Sequence, residues 1–306
     1  MKGVGIKRLS IVAILLLSLS GCSSYRLAYN NLDHLVFAWI DDYADLTSAQ
    51  RDRLRPQLLQ WHDRHRQEEL PRYQALLISI RMGVQSSPLD TALFDGWWAA
   101  LEESMQTLRS STVPLAVALL EQLDSSQQRQ LLDTLRREIK NQREDALDRS
   151  ASEQAERRYE KYRQRMYPWI GRLDDPQRQH LKRLLEKLPD TELQWLAYRS
   201  RWVDRLEQAL LFRSDQAQFY PRIESLLLNA SPLYRASRSG LQGLKLADDA
   251  WVNESLIEER SIADSRQLRI RYMLALINSL SEQQRSRLLQ ELDELIDVVA
   301  ELQRQN

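Results

Sequence analysis

Cysteine occurs once in the 306 residues, at Cys22, which excludes an intramolecular disulfide and any zinc site built on several thiolates. Glycine is scarce as well: five remain beyond residue 21, at positions 83, 96, 171, 240 and 243. So few glycines, beside long stretches rich in Leu, Arg, Glu, Gln and Ala, argue against a sheet-based fold and for an all-α one. A basic excess is missing too. The 43 basic residues are matched by 43 acidic ones, whereas a nucleic-acid binder normally carries a surplus, so no nucleic-acid partner is expected. Gly-x-Ser-x-Gly, a phosphate-cradling glycine loop and His-Glu-x-x-His are all absent, and no nucleophile can be paired with a base. The expectation is a protein that is not an enzyme and carries no catalytic residues.

The apolar run Leu9 to Leu19, about 11 residues broken by Ser10 and Ser18, is short of the roughly 20 that a bilayer-spanning helix needs. Lys2, Lys7 and Arg8 precede it with no acidic residue, the pattern of an export signal rather than a permanent anchor. The run ends in Leu19, Ser20, Gly21 and Cys22, which resembles the lipobox of bacterial lipoproteins: an apolar residue and two small ones for signal peptidase recognition, then the lipidated cysteine. That resemblance implies cleavage of residues 1–21 and acyl chains such as palmitate on Cys22, the covalent lipid standing in place of any cofactor. Two or more chains anchor stably at about 0.8 kcal/mol per buried methylene. With Ser23 and Ser24 rather than an aspartate after the cysteine, the expected location is the outer membrane, facing the periplasm. Cleavage leaves 40 basic against 43 acidic residues; 35 of the 40 are Arg, read either as carboxylate or phosphate recognition or as helix-surface composition.

Helical periodicity is nearly continuous. It is plainest at Leu288, Leu292, Leu295, Val299 and Leu302, preceded by the stripe Ile270, Met273, Leu274, Ile277 and Leu280, so a helical hairpin turning at Ser281 is expected. One motif recurs four times: Leu46-Thr47-x-x-Gln50 with Leu54, Leu123-Asp124-x-x-Gln127 with Leu131, Leu173-Asp174-x-x-Gln177 with Leu181, and Leu280-Ser281-x-x-Gln284 with Leu288. Each reads as a helix start, with Thr, Asp or Ser as N-cap. The irregular spacings of 77, 50 and 107 residues exclude a solenoid. The reading predicts helices at 26–43, 47–67, 69–84, 88–110, 113–122, 125–166, 175–188, 190–212, 215–228, 232–279 with breaks at Gly240 and Gly243, and 281–304. The polar stretch 141–158 reads as a helix joining an N-terminal lobe, 22–140, to a C-terminal lobe, 159–306; unbroken over 125–166 it would extend about 60 Å.

Three constellations invite chemistry. Asp41, Asp42 and Asp45 gather at a helix C-terminus, where the dipole disfavours them, so Arg51, Arg53 and Arg55 are expected to offset them; the loop lacks the alternating oxygen ligands and the glycine of a calcium loop. His62 and His65 lie one turn apart near Asp63, Glu68 and Glu69, as surface imidazoles paired with carboxylates or as two ligands of a metal whose third ligand neither His34 nor His180 is placed to supply. No metal is expected. Adjacent Trp97 and Trp98 point about 100° apart, so one of them could line an apolar groove for an acyl chain or a peptide helix, or both could be core residues.

Tyr29-Asn30-Asn31-Leu32-Asp33, Trp39-Ile40-Asp41-Asp42-Tyr43, Leu46-Thr47 with Gln50, and Glu69-Leu70-Pro71-Arg72-Tyr73 together resemble an uncharacterised family of proteobacterial lipoproteins, a domain of unknown function. The resemblance implies lipidation and assigns no activity. The repeated leucine-to-glutamine motif is similar to the Leu-Thr-x-x-Gln motif of Spy- and CpxP-type periplasmic chaperones. The function expected is therefore a protein-binding or scaffolding module held to the membrane by its lipid, with an envelope protein as partner. A chaperone-like or lipid-binding protein with an apolar groove is the alternative, and a metal-dependent hydrolase around His62, His65 and Asp41 to Asp45 comes third.

Overall fold

The computed structural model describes residues 22–86, 88–228, 265 and 267–305, and every regular element among them is helical. In chain order these are α1 (Cys22–Asn30), α2 (Leu32–Asp41), α3 (Ser48–Arg64), a π turn (His65–Glu69), α4 (Leu70–Gln85), α5 (Thr91–Gln122), α6 (Ser125–Leu147), α7 (Ala151–Ile170), α8 (Asp175–Lys187), α9 (Glu192–Leu210), α10 (Gln216–Leu228), α11 (267–278) and α12 (Glu282–Arg304). The proposed cleavage region with Leu19, Ser20 and Gly21, and most of the helix expected at 232–279, lie outside the described residues.

The four leucine-to-glutamine motifs start α3, α6, α8 and α12, each as a full capping box: the N-cap oxygen accepts from the glutamine N–H, and the glutamine side chain accepts from the N-cap N–H. These starts also meet in pairs. Gln50 and Gln127 exchange reciprocal amide bonds at 2.8 Å, and Gln177 and Gln284 do the same at 2.9 and 3.0 Å. Each glutamine then donates to the carbonyl two residues before its partner's N-cap: Gln50 to Gln122, Gln127 to Asp45, Gln177 to Ser279 and Gln284 to Arg172. Two helix starts are thus locked side by side in each pair, with the amides filling backbone positions that the helices leave open.

Four apolar clusters complete the packing, and they draw on both ends of the chain. Phe37, Leu54, Val113 and Leu132 from the first half pack with Val203, Phe219 and Ile223. Tyr159, Leu181 and Leu184 meet Tyr272 and Leu276; Val84 and Trp97 meet Ile270, Leu274 and Leu292; Leu70 meets Val298, Val299 and Leu302. This packing crosses the boundary expected between 22–140 and 159–306, since α12 runs along α4 and α9 and α10 close the core of α2 to α6. The helical hairpin turning at Ser281 is present.

The helix expected over 125–166 is two helices. Asp148 and Arg149 break it, and Ser150 recaps it with a box completed by Glu153. Nor does the stretch 141–158 cross solvent: Ala146 is buried, and Arg149 forks onto Glu192 at 2.9 and 3.2 Å, fastening the break to the start of α9. Conversely, the helices expected at 88–110 and 113–122 are one, running through Pro114. The hydroxyls of Ser110, Ser111 and Thr112 bond the carbonyls of Thr107, Leu108 and Arg109 there, and buried Val113 and Val117 hold the turn to the core.

Gly83 brings α4 against α5. A Cβ there would stand 2.5 Å from Cζ2 of Trp97, a ring held in place by its own bond from Nε1 to Ser79 Oγ at 2.9 Å. Gly83→Ala should therefore destabilise the fold by about 1–3 kcal/mol. The check is the urea midpoint at unchanged slope; an unshifted midpoint would mean that this approach is not needed.

Candidate functional site

Where α2, α3, α5, α6, α9 and α10 converge, they line a half-open cavity of about 790 Å³. Five of the helices turn aliphatic side chains toward it: Leu32 and Val36 from α2, Leu54 and Leu58 from α3, Leu115 and Leu119 from α5, Leu131 and Leu135 from α6, Leu226 and Leu227 from α10. Three indoles complete the wall. Trp61 donates its N–H to Ser111 Oγ and Trp202 donates to the Leu226 carbonyl, both at 3.0 Å, which leaves their rings as apolar wall; Trp39 is 43% exposed. Ala44 and Ala116 leave space that a larger side chain would fill. The volume lies within the range of small-molecule sites, roughly 300–1,000 Å³.

The lining is polar at two places, Thr112, whose hydroxyl donates to the Arg109 carbonyl at 2.8 Å, and one charged corner. Arg199 is its one charged side chain among the described residues, with Tyr43 as a neighbour. Behind them Glu138 accepts from the Tyr43 hydroxyl at 3.3 and 3.4 Å and lies 4.0 Å from the Arg199 guanidinium, whose other arm donates to Gln142 Oε1 at 3.0 Å. Burial pushes the Glu138 carboxyl up and, with Glu138 beside it, pushes the Tyr43 hydroxyl up to about 12.

The histidine pair forms a second cluster, built by a proline. Pro71 has no N–H for the Gln67 carbonyl, and the π turn His65–Glu69, closed by Leu70 N–H on the His65 carbonyl, inserts one residue before it. With that extra residue Tyr73, eight positions after His65, lies two turns along the same face. Tyr29 comes in from α1: its hydroxyl is 2.9 Å from Nδ1 of His65, the Tyr73 hydroxyl is 3.4 Å from Nε2, and the Tyr29 ring lies 4.4 Å from that of His62. The expectation of surface imidazoles paired with carboxylates is therefore overturned, because both rings sit in an aromatic cluster with Trp61 nearby. A neutral ring can donate to one tyrosine and accept from the other, whereas a protonated ring has no lone pair to accept with. Burial drives His65 down to about 4 and His62 below its usual value.

That depression has a stability consequence. A histidine kept neutral in the fold but protonating near 6.5 when unfolded contributes stability above that value, which is lost as pH falls from about 6.5 toward about 4. Partial exposure reduces the effect to about 1 kcal/mol at pH 5. Denaturation at pH 7 and pH 5 should show this loss in the wild type and a smaller one in His65→Gln; equal losses would show that His65 is not the responsive group.

The remaining residues flagged in the sequence separate. Arg51 pairs with Asp41 at 2.8 Å as expected, but Arg55 turns to Asp33 and the face of Phe37, and Arg53 stays exposed. Trp97 is buried in the α4–α5–α11–α12 core and Trp98 donates to Glu102 at 2.7 Å, so neither lines the cavity. His34 is exposed beside Asp33 and His180 stacks on Tyr272. Among the described residues no three of His, Cys, Asp or Glu group as metal ligands, and no helix is long and apolar enough to cross a membrane.

The family model of DUF6279, a family of unknown function, matches residues 42–237. The chain belongs to DUF6279. The DUF6279 match begins directly after α2 and runs past α10, so it contains Arg199, Trp61, Trp202, both histidines and the first three capping motifs. No family match accompanies the likeness to Spy- and CpxP-type chaperones, and no curated protein or solved structure matches this DUF6279 chain. Tyr43 stands in the sequence only as part of the family-like stretch Trp39 to Tyr43, and Arg199, one arginine among many, carries no local signal.

Proposed function

We propose that this protein is a non-enzymatic, lipid-anchored protein of the outer membrane that takes up an acyl chain in its periplasmic body. One observation carries the reading: the cavity of about 790 Å³ whose walls are leucine, valine and indole. A space of that size with apolar walls favours an aliphatic ligand over a polar one. Supporting it, α2 begins ten residues after Cys22, about 15 Å at the helical rise, so an anchor at that cysteine would hold the cavity close to the bilayer.

The test uses the Cys22→Ser form of the full chain, which cannot be acylated. A neutral naphthyl probe should brighten on binding, quench the tryptophan emission of Trp39, Trp61 and Trp202, and be displaced by long-chain lipids. A probe that neither brightens nor quenches would end the reading.

A second reading, the protein-docking module expected from the sequence, is favoured by Ile78 and Met82, one turn apart and exposed on α4, and by Leu101 and Met105, likewise on α5. Crosslinking in intact cells should then recover one defined envelope protein, lost in Met82→Asp; capture that is unchanged by that substitution removes this face from consideration.

A further inference from the structure

We propose that the cavity's ligand is a single-chain fatty acid whose carboxylate is gripped by Arg199. This rests on the acyl-chain reading above and adds the chemistry of the head and the residue that selects it.

The argument begins with a charge that is poorly matched. Arg199 lies in a largely apolar lining, where a poorly paired cation is costly. Its partner Glu138 stands off at 4.0 Å, the far limit of an ion pair, and shares its carboxylate with the Tyr43 hydroxyl at 3.3 and 3.4 Å. Gln142 accepts one Arg199 N–H at 3.0 Å. No other hydrogen bond of the guanidinium is found among the described residues, and its planar fork suits an incoming carboxylate held by two parallel bonds. Glu138 is in turn shared, because Arg137 on α6 and Asp42 beyond α2 also act on its carboxyl, which burial pushes up. A ligand carboxylate would complete the pairing that Glu138 leaves open.

The tail follows from the space. About 790 Å³ accommodates one long chain alongside Leu115, Leu119 and Trp202, while a two-chain phospholipid exceeds the usual range of such sites. The head must then lie at the Arg199 and Tyr43 corner, since Thr112, the other polar side chain of the lining, donates its hydroxyl to the Arg109 carbonyl.

The experiment displaces the naphthyl probe from the Cys22→Ser full chain with palmitate, hexadecanol or lysophosphatidylcholine. Palmitate should displace at about tenfold lower concentration than hexadecanol, the worth of one charge-assisted contact. Arg199→Gln should erase that difference and leave hexadecanol unchanged. Arg199→Lys, which keeps the charge and loses the fork, should retain part of it and decides the matter if Arg199→Gln fails to fold. Equal displacement by palmitate and hexadecanol, or a preference that survives in Arg199→Gln or is undiminished in Arg199→Lys, overturns the Arg199 assignment while the acyl-chain reading stands. A preference for lysophosphatidylcholine overturns the carboxylate in favour of a phosphate head. Displacement by none of the three overturns both.

Discussion

Ala116→Trp is expected to abolish acyl-chain binding while the helices stay folded. Ala116 lines the cavity on α5, between leucines that already form its wall, so an indole grown from that position occupies ligand space. An indole buries about 150–250 Å² of surface, enough to displace a large part of one chain, and affinity for palmitate and for the naphthyl probe should fall by more than about tenfold. In a tightly packed core the same change would cost about 1–3 kcal/mol through forced rotamers; here the added ring fills empty volume, and stability should stay within about 1 kcal/mol of the wild type. Leu101→Ala, on the exposed side of the same helix, should leave binding unchanged. Retained affinity in Ala116→Trp, with helicity intact, would place the ligand elsewhere.

The largest loss of stability from a change outside the apolar clusters should come from Gln127→Ala. This side chain, 6% exposed, caps its own helix through Asp124 N–H at 3.0 Å, donates to the Asp45 carbonyl at 2.6 Å and closes the reciprocal pair with Gln50 at 2.8 Å. Truncation leaves a backbone donor, a backbone acceptor and half of an amide pair without partners, each worth about 1–3 kcal/mol when buried. An overall loss of about 2–4 kcal/mol is expected, read as a lower denaturation midpoint. The double variant Gln50→Ala/Gln127→Ala should lose less than the two singles added together, because the second removal orphans fewer new groups. Strict additivity would show that the two helix starts are not energetically coupled.

Much of this architecture is legible in the chain. Leu-Thr/Asp/Ser-x-x-Gln names a helix start because cap and glutamine act within one turn, and all four starts are where that local chemistry puts them. The same logic was available at Ser150 and Glu153, a capping box inside the stretch read as one long polar helix. Pairing of the motifs was not legible, since it joins residues 77 and 107 positions apart and nothing within one turn specifies the partner. The cavity is hidden for the same reason. Leucines at helical spacing look alike whether they meet another side chain or empty space, and only the convergence of six helices decides which. The histidines illustrate the opposite error: Asp63 and Glu68 are near in sequence, yet the π turn ahead of Pro71 aims His65 at Tyr29 and Tyr73 instead.

The first helix has a mechanical role. Arg26 of α1 pairs with Glu301, Asn30 donates to Gln305 at 2.7 Å, and Tyr25 and Tyr29 pack against the cluster of Val298, Val299 and Leu302. The two ends of the described chain are thus clasped together, and α12 in turn lies along α4. A load applied at Cys22, as the proposed lipid anchor would apply it, would be passed sideways into α12 and α4 as shear, so the body would resist unravelling from that end.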